Sequence, residues 1–225
     1  MRDTLNLVIF DVDGTLVDSQ AAILWSMRYA FEKAGRSVPP RDDILGIVGL
    51  SLPQAMAVLL PVERQTEHQK MVDLYKGAYL ARRAAGAGEA VQPLYPGARE
   101  AIDHLDGTGY LLSAATGKGR RGLLHFMAAH DFDRQFVAAQ SADDAPSKPN
   151  PGMVINCLAA TGVEPANAVM VGDTEFDMEM GASAGVRCIG VSWGYHPQQR
   201  IVRGGAEAIA RDFSHLVELI EGLWP

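Results

Sequence analysis

The sequence predicts an α/β protein: a doubly wound parallel sheet with an all-helical cap inserted near the N-terminus. Strand and helix patterns alternate through the second half of the chain, which is typical of a parallel sheet with helices on both faces. Between residues 20 and 85, by contrast, no segment has a strand pattern. These observations predict an α/β core of residues 1–18 and 91–225 and a helical cap of residues 19–90.

The first strand is predicted from the apolar run Leu5 to Phe10, which is typical of a strand buried on both faces. Asp11 and Asp13 follow it directly. Ligands of open α/β sheets bind outside the carboxyl ends of the strands, so the two acids are expected to meet a ligand or a metal ion. A plain Asp-Gly turn with two solvated acids is the alternative.

Helical patterns fill the predicted cap. Asp18 or Ser19 can cap its first helix, which Gly35 and the Pro39-Pro40 pair end. Further helices are predicted at residues 42–47, 53–60 and 61–83, with a loop at 48–52 and an exit linker of small residues at 84–90.

The second half of the chain supplies the other elements of the sheet. Strands are predicted at residues 110–115, 168–172 and 186–191, with a further candidate at 136–140. Helices are predicted at residues 97–105, 120–130, 152–160 and 175–184.

Composition excludes several classes of protein. The 225 residues are 48% hydrophobic and 21% charged, close to globular averages. The net charge of −7 argues against nonspecific binding to nucleic acid or anionic lipid. Neither a membrane span nor a signal peptide is evident, so we expect a cytoplasmic monomer or homodimer. Cys157 and Cys188 lack metal-site or redox spacing and are expected to be buried thiols.

Polar residues follow three of the predicted strands. They are Asp11 and Asp13, then Thr116-Gly117-Lys118, then Asp173, while Lys148 lies in a loop before a helix. If the strands are neighbours, these groups share one crevice. Clustered carboxylates are costly without a cation, and hard divalent ions prefer carboxylate oxygens, so Mg²⁺ is predicted.

Such a crevice suits phosphoryl transfer. The first carboxylate of the pair can attack phosphorus and form an aspartyl phosphate that water then hydrolyses. The other can protonate the leaving oxygen and later deprotonate water. Thr116 and Lys148 can hold the phosphoryl oxygens, and Asp173 can hold the metal.

The segment Asp11-Val12-Asp13-Gly14-Thr15 resembles the first motif of the haloacid dehalogenase superfamily of phosphatases. Thr116, Lys148 and the segment 172–177 are similar to the second, third and fourth motifs, in the family's order. The resemblance implies that Asp11 is the nucleophile and Asp13 the acid and base. It implies that Asp11, the Asp13 backbone carbonyl and Asp173 bind Mg²⁺. Asp177 would be linked to the metal through water, or would be a first-turn acid that interacts with the helix dipole.

Asp13 also separates branches of this family, because dehalogenase members lack an acid there. The segments 94–97, 116–122 and 192–196 resemble the phosphoglycolate phosphatase-like branch, which implies a small phosphorylated metabolite, 2-phosphoglycolate first, as substrate. Asn150 stands where many relatives have His. The same core also serves phosphomutases of the β-phosphoglucomutase type, other small-metabolite phosphatases, and binding modules that keep the fold.

Several residues keep two interpretations. Ser51, in the loop with Gly49 and Leu50, is either a substrate ligand carried by the cap or an ordinary helix N-cap. Thr116 is a phosphoryl ligand, a helix N-cap or both. Gly117 and Lys118 are expected to bind substrate, whereas Arg120 and Arg121 either attract an anion or are solvated. Residues 117–122 also match the glycine pattern of a dinucleotide-binding turn, although no clear acid ends the next strand.

Overall fold

The computed structural model describes residues 5–60, 66–84 and 92–224. Six strands are β1 Leu7–Phe10, β2 Leu111–Ala115, β3 Phe136–Gln140, β4 Ala168–Gly172, β5 Arg187–Val191 and β6 Ala208–Ala210. The helices are α1 Gln20–Lys33, α2 Arg41–Leu45, α3 Leu52–Leu59, α4 His68–Ala84, α5 Ala98–Gly107, α6 Arg120–Ala129, α7 Gly152–Thr161, α8 Glu175–Ser183, α9 Gln198–Gly204 and α10 Phe213–Glu221.

The six strands form one parallel sheet in the order β3-β2-β1-β4-β5-β6, so the predicted α/β fold is confirmed. The chain runs outward on both sides of β1, and β1 therefore lies at the switch point where ligands of such sheets bind. Phe10 at the end of β1 pairs in register with Ala114 of β2 and Val171 of β4. This register places the residues after all three strands at the same edge of the sheet.

Successive side chains of β1 pack alternately into two apolar cores, one on each face of the sheet. Val8 and Phe10 belong to the core beneath α5, α6 and α10. Leu7 and Ile9 belong to the core beneath α7, α8 and α9. Because successive side chains of a strand point to opposite faces, a strand buried on both sides has no polar position until it ends.

The inserted helices α1 to α4 have an apolar core of their own. Its fully buried members include Ala30, Met56 and Met71. Of the last predicted cap helix, residues 61–83, the structure describes α4 from His68 onward, and residues 61–65 lie outside the described residues. The predicted linker at 84–90 lies outside the described residues except for Ala84, and the domain boundaries remain predictions.

Three elements near the C-terminus were not predicted: α9, the three-residue strand β6 and α10. The helix α10 covers the sheet with Phe213, Leu216 and Ile220, which are spaced as one helical face. Within the part of the chain described, no helix is long and apolar enough to cross a bilayer.

Met56→Ala tests the cap core. Truncation of this fully buried side chain leaves a cavity and should lower the free energy of unfolding by about 2–5 kcal/mol. Urea denaturation followed by circular dichroism measures the loss. The control Val58→Ala, on the same helix at an exposed position, should change it by less than about 0.5 kcal/mol. Equal effects of the two substitutions would contradict the packing described.

Candidate active site

A buried ammonium joins two of the predicted site acids. Lys148 Nζ lies 2.6 Å from Asp11 Oδ1 and 2.5 Å from Asp177 Oδ1, and all three side chains are buried. Asp11 follows β1, Asp177 lies in the first turn of α8, and Lys148 comes from the loop before α7. The lysine therefore fixes the relative positions of three segments that are far apart in the sequence.

Asp173, directly after β4, has both oxygens held. Thr15 Oγ1 donates to Oδ1 at 3.0 Å, and the backbone N–H of Tyr195 donates to Oδ2 at 2.8 Å. Gly14, with φ of +86°, lies so close that a β-carbon there would be 2.3 Å from Asp173 Oδ2. Glycine at this position satisfies both the left-handed backbone and the close approach.

Asp177 has a second structural role at the start of α8. Its Oδ2 accepts hydrogen bonds from the backbone N–H of Thr174 at 3.0 Å and from the Thr174 hydroxyl at 2.6 Å. The backbone N–H of Asp177 donates in return to Thr174 Oγ1 at 3.3 Å, which completes a capping box. The first-turn interpretation of Asp177 thus fits the structure, and the same carboxylate also contacts Lys148. Its water-mediated link to a metal remains a prediction.

Burial and like charge govern the ionisation of this cluster. Burial raises the pKa of Asp11 to about 7, with Lys148 opposing and Asp177 adding to the shift. Burial, followed by Asp177 and Asp11, raises the pKa of Asp173 well above its usual range. Burial lowers the pKa of Lys148, but Asp11 and Asp177 outweigh this and raise it. The lysine is therefore charged, but one ammonium does not supply enough positive charge to keep all the carboxylates of the cluster ionised.

The donor set fits a hard divalent cation. Asp11, Asp173 and Asp177 each offer a carboxylate oxygen within 4.8 Å of the others. No described residue donates a hydrogen bond to Asp11 Oδ2, although this atom is buried. Three ionised carboxylates and one ammonium leave a net charge of minus two, which one divalent ion balances.

Asp13 forms a separate ion pair. Its Oδ1 lies 2.7 Å from Lys118 Nζ, with 15% and 11% of the two side chains exposed. Lys118 Nζ also donates to Gln92 Oε1 at 3.2 Å. The hydroxyl of Thr116 accepts the backbone N–H of Lys118 at 3.2 Å, and Gly119 occupies the N-cap position of α6. The N-cap interpretation of Thr116 is therefore wrong.

A cavity of about 340 Å³ lies between these residues and the cap. On the core side it is lined by Asp11, Asp13, Thr116, Gly117 and Lys118. The loop between α2 and α3, residues 46–51, is called the cap loop and packs against this wall. A β-carbon on Gly117 would lie only 2.6 Å from the carbonyl oxygen of Gly49 in this loop. The cap loop thus covers the glycine-rich turn after β2.

Ser51 lies beside this cavity and is not among its lining residues. It occupies the N-cap position of α3 without a capping hydrogen bond from its side chain. Its backbone N–H donates to Ser147 Oγ at 2.7 Å, next to Lys148. A substrate contact by the Ser51 hydroxyl remains a prediction.

The structure thus gathers Asp11, Lys148, Asp173 and Asp177 into one cluster and places Asp13, Thr116 and Lys118 on the adjoining cavity. Arg120 is exposed and pairs with Asp144, whereas exposed Arg121 borders the cavity. Cys157 and Cys188 are buried free thiols, as predicted.

Sequence reasoning missed Tyr195, Gln92 and Tyr75. Tyr195 lies in the segment 192–196 that carried the branch resemblance, but nothing in the sequence indicated that its backbone N–H would donate to Asp173. Gln92 lies outside the motifs and contacts Lys118 through its side-chain oxygen. Tyr75 lines the cavity from α4, within a segment for which the sequence predicted only a helix.

The raised pKa of Asp11 predicts how pH acts on the metal-free protein. The unfolded chain loses this proton near pH 3.8 and the folded chain near 7, so stability should fall as pH rises across that window. Asp11→Asn removes the Asp11 contribution, while that of Asp173 remains. The free energy of unfolding of the variant relative to the wild type should therefore rise by up to about 4 kcal/mol between pH 4 and 8, on top of a pH-independent loss from unpairing Lys148. Urea unfolding at several pH values, in the presence of a chelator that keeps the protein metal-free, measures the free energy of unfolding. The exposed control Asp18→Asn should run parallel to the wild type, and a parallel Asp11→Asn curve would contradict the assignment.

Comparison with known proteins places the chain in a family. The family described as haloacid dehalogenase-like hydrolase matches residues 8–191. The probable phosphatase IndB of Dickeya dadantii is 31% identical over 213 residues, covering 94% of this chain and 91% of that protein. A phosphoglycolate phosphatase of Haemophilus influenzae is 26% identical over 224 residues, covering 98% and 100%.

Solved structures agree on the fold. A haloacid dehalogenase-like hydrolase from Bacteroides fragilis superposes with a TM-score of 0.85 at 23% identity, covering 95% of this chain and 100% of that one. The resemblance carried by the sequence motifs is therefore confirmed, and the relatives' names agree with the expected enzyme class. The chain belongs to the haloacid dehalogenase-like hydrolases.

Proposed function

We propose that this hydrolase cleaves small phosphate monoesters, with Mg²⁺, through an aspartyl-phosphate intermediate. The observation that supports it most strongly is the position of Asp11. Its Oδ1 is held by Lys148, its Oδ2 has no partner among the described residues, and it borders a cavity that also contains Asp13. A nucleophile and a proton carrier therefore face the same space.

Asp11 and Asp173 would hold the metal, with the Asp13 backbone carbonyl that the family resemblance implies. Asp177 would fix the arrangement through Lys148 and Thr174. When bound, Mg²⁺ supplies positive charge that offsets the carboxylates and the phosphoryl oxygens. Lys148 supplies a further positive charge that is present with or without the ion.

The residues of this chain divide the reaction into two steps. A carboxylate oxygen of Asp11 attacks phosphorus, the ester P–O bond breaks, and Asp13 gives its proton to the departing alkoxide. Asp13 then takes a proton from water, whose oxygen attacks the phosphorus of the aspartyl phosphate and releases phosphate and Asp11. The Thr116 hydroxyl, the Gly117 backbone and the two ammonium groups, Lys118 and Lys148, would bind the phosphoryl oxygens.

We include 2-phosphoglycolate as the first ester to assay, on the basis of the motif resemblance and the names of several relatives. A panel of small phosphomonoesters with and without Mg²⁺, monitored for phosphate, tests the activity. Adding β-glucose 1-phosphate and following its isomer distinguishes a mutase, which would isomerise the sugar without net phosphate release. Failure to release phosphate from any ester with Mg²⁺ would contradict the proposal.

Asp11→Asn should lower kcat by about a thousandfold or more, since the amide cannot form the acyl phosphate. Stopped reactions of wild type with labelled ester should give a phosphorylated protein, and the variant should give none. The exposed Asp18→Asn serves as the control and should keep wild-type kcat. Substantial turnover by Asp11→Asn would rule out the covalent route.

Asp13→Asn should separate the two steps. With an alkyl phosphate, loss of the general acid should reduce kcat by about 10²–10⁴-fold. With p-nitrophenyl phosphate the leaving group needs no proton, so rapid mixing should show a burst of about one nitrophenolate per enzyme before slow turnover. Proportional losses on both esters with no burst would assign Asp13 another role.

A further inference from the structure

We propose that the alcohol portion of the preferred ester is apolar and uncharged, and larger than the two-carbon acid of 2-phosphoglycolate. This inference rests on the proposed phosphomonoesterase activity and concerns the rest of the cavity, away from Asp11. It assigns specificity to the inner wall of the cap.

Among the described residues, the cap wall of the cavity is mostly apolar, with the hydroxyls of two tyrosines and the exposed Lys76 as its polar groups. Its side chains are Met27 from α1, Val48 and Leu50 from the cap loop, Leu52 from α3, and Tyr75 and Tyr79 from α4. The volume of about 340 Å³ is at the small end of the roughly 300–1,000 Å³ found for small-molecule sites. A phosphoryl group with two carbons leaves most of this wall without contact.

The two tyrosine rings form a flat part of the wall. Their centroids are 6.4 Å apart with an interplanar angle of 18°, and Tyr75 is buried while Tyr79 is half-buried. Stacked rings one helical turn apart present apolar faces and edges, which suit a hydrocarbon chain or ring. Neither side chain offers a positive charge.

Among the residues that the structure describes, none offers a second anionic group an available buried cation in this wall. The described cationic residues that line the cavity are Lys76, Lys118 and Arg121. The side chains of Lys76 and Arg121 are exposed to solvent. Lys118 is engaged by Asp13 and Gln92, and the proposed function assigns it to the phosphoryl oxygens. A buried carboxylate without a paired cation is costly, so the wall disfavours the carboxylate of 2-phosphoglycolate.

Alkyl phosphates of increasing length test this directly, because their leaving alcohols are almost equally basic and only the buried area changes. From ethyl to butyl phosphate we expect kcat/KM to rise about fourfold per methylene. Propyl phosphate, similar in length to 2-phosphoglycolate but without its carboxylate, should exceed it at least tenfold. A flat or falling series, with phosphate still released, would overturn this inference and leave the proposed activity intact. Absence of release from every ester would instead reject the activity.

Leu52→Lys tests the wall itself. Leu52 is half-buried at the start of α3 and lines the cavity, so a lysine there brings a positive charge to the cap wall. We expect kcat/KM for butyl phosphate to fall at least tenfold and that for 2-phosphoglycolate to rise. The control Val58→Lys adds the same charge at an exposed position on the same helix and should change neither. An unchanged butyl-to-phosphoglycolate ratio in folded Leu52→Lys would contradict the assignment.

Discussion

The buried ion pairs of Lys148 are the constraint on which the site depends. A fully buried ammonium between Asp11 and Asp177 is stable only if both carboxylates remain in place, because an unpaired charge there would be strongly destabilising. The end of β1, the loop before α7 and the first turn of α8 are thereby held to one geometry. The single charge of this lysine does not balance the three carboxylates of the cluster. The residues therefore fit a divalent ion.

The sheet makes that constraint possible. Parallel register brings the ends of β1, β2 and β4 to one level, and the apolar cores on both faces hold the strands there. Short side chains that follow these strands can therefore contact one another directly. Asp173 is held by a hydroxyl and a backbone amide, so its orientation is set before any ligand binds.

Much of this arrangement could be predicted, because strand ends are local features of a sequence. Asp11, Thr116 and Asp173 each follow an apolar run, and the order of the runs indicated a parallel sheet. The contacts of Tyr195 and Gln92 could not be predicted, since they join segments far apart in the chain through groups that carry no motif. The strand β6 is three residues long, too short for periodicity to reveal.

The contact between Gly117 and the carbonyl of Gly49 concerns backbone atoms on both sides. Side chains can change rotamer at little cost, but two segments of main chain cannot approach more closely than their atomic radii allow. The distance between core and cap at this point is therefore possible only because residue 117 has no β-carbon. An alanine at 117 would force the turn after β2 or the cap loop to move, so that the space available to a ligand changes without any change in the residues that line the cap.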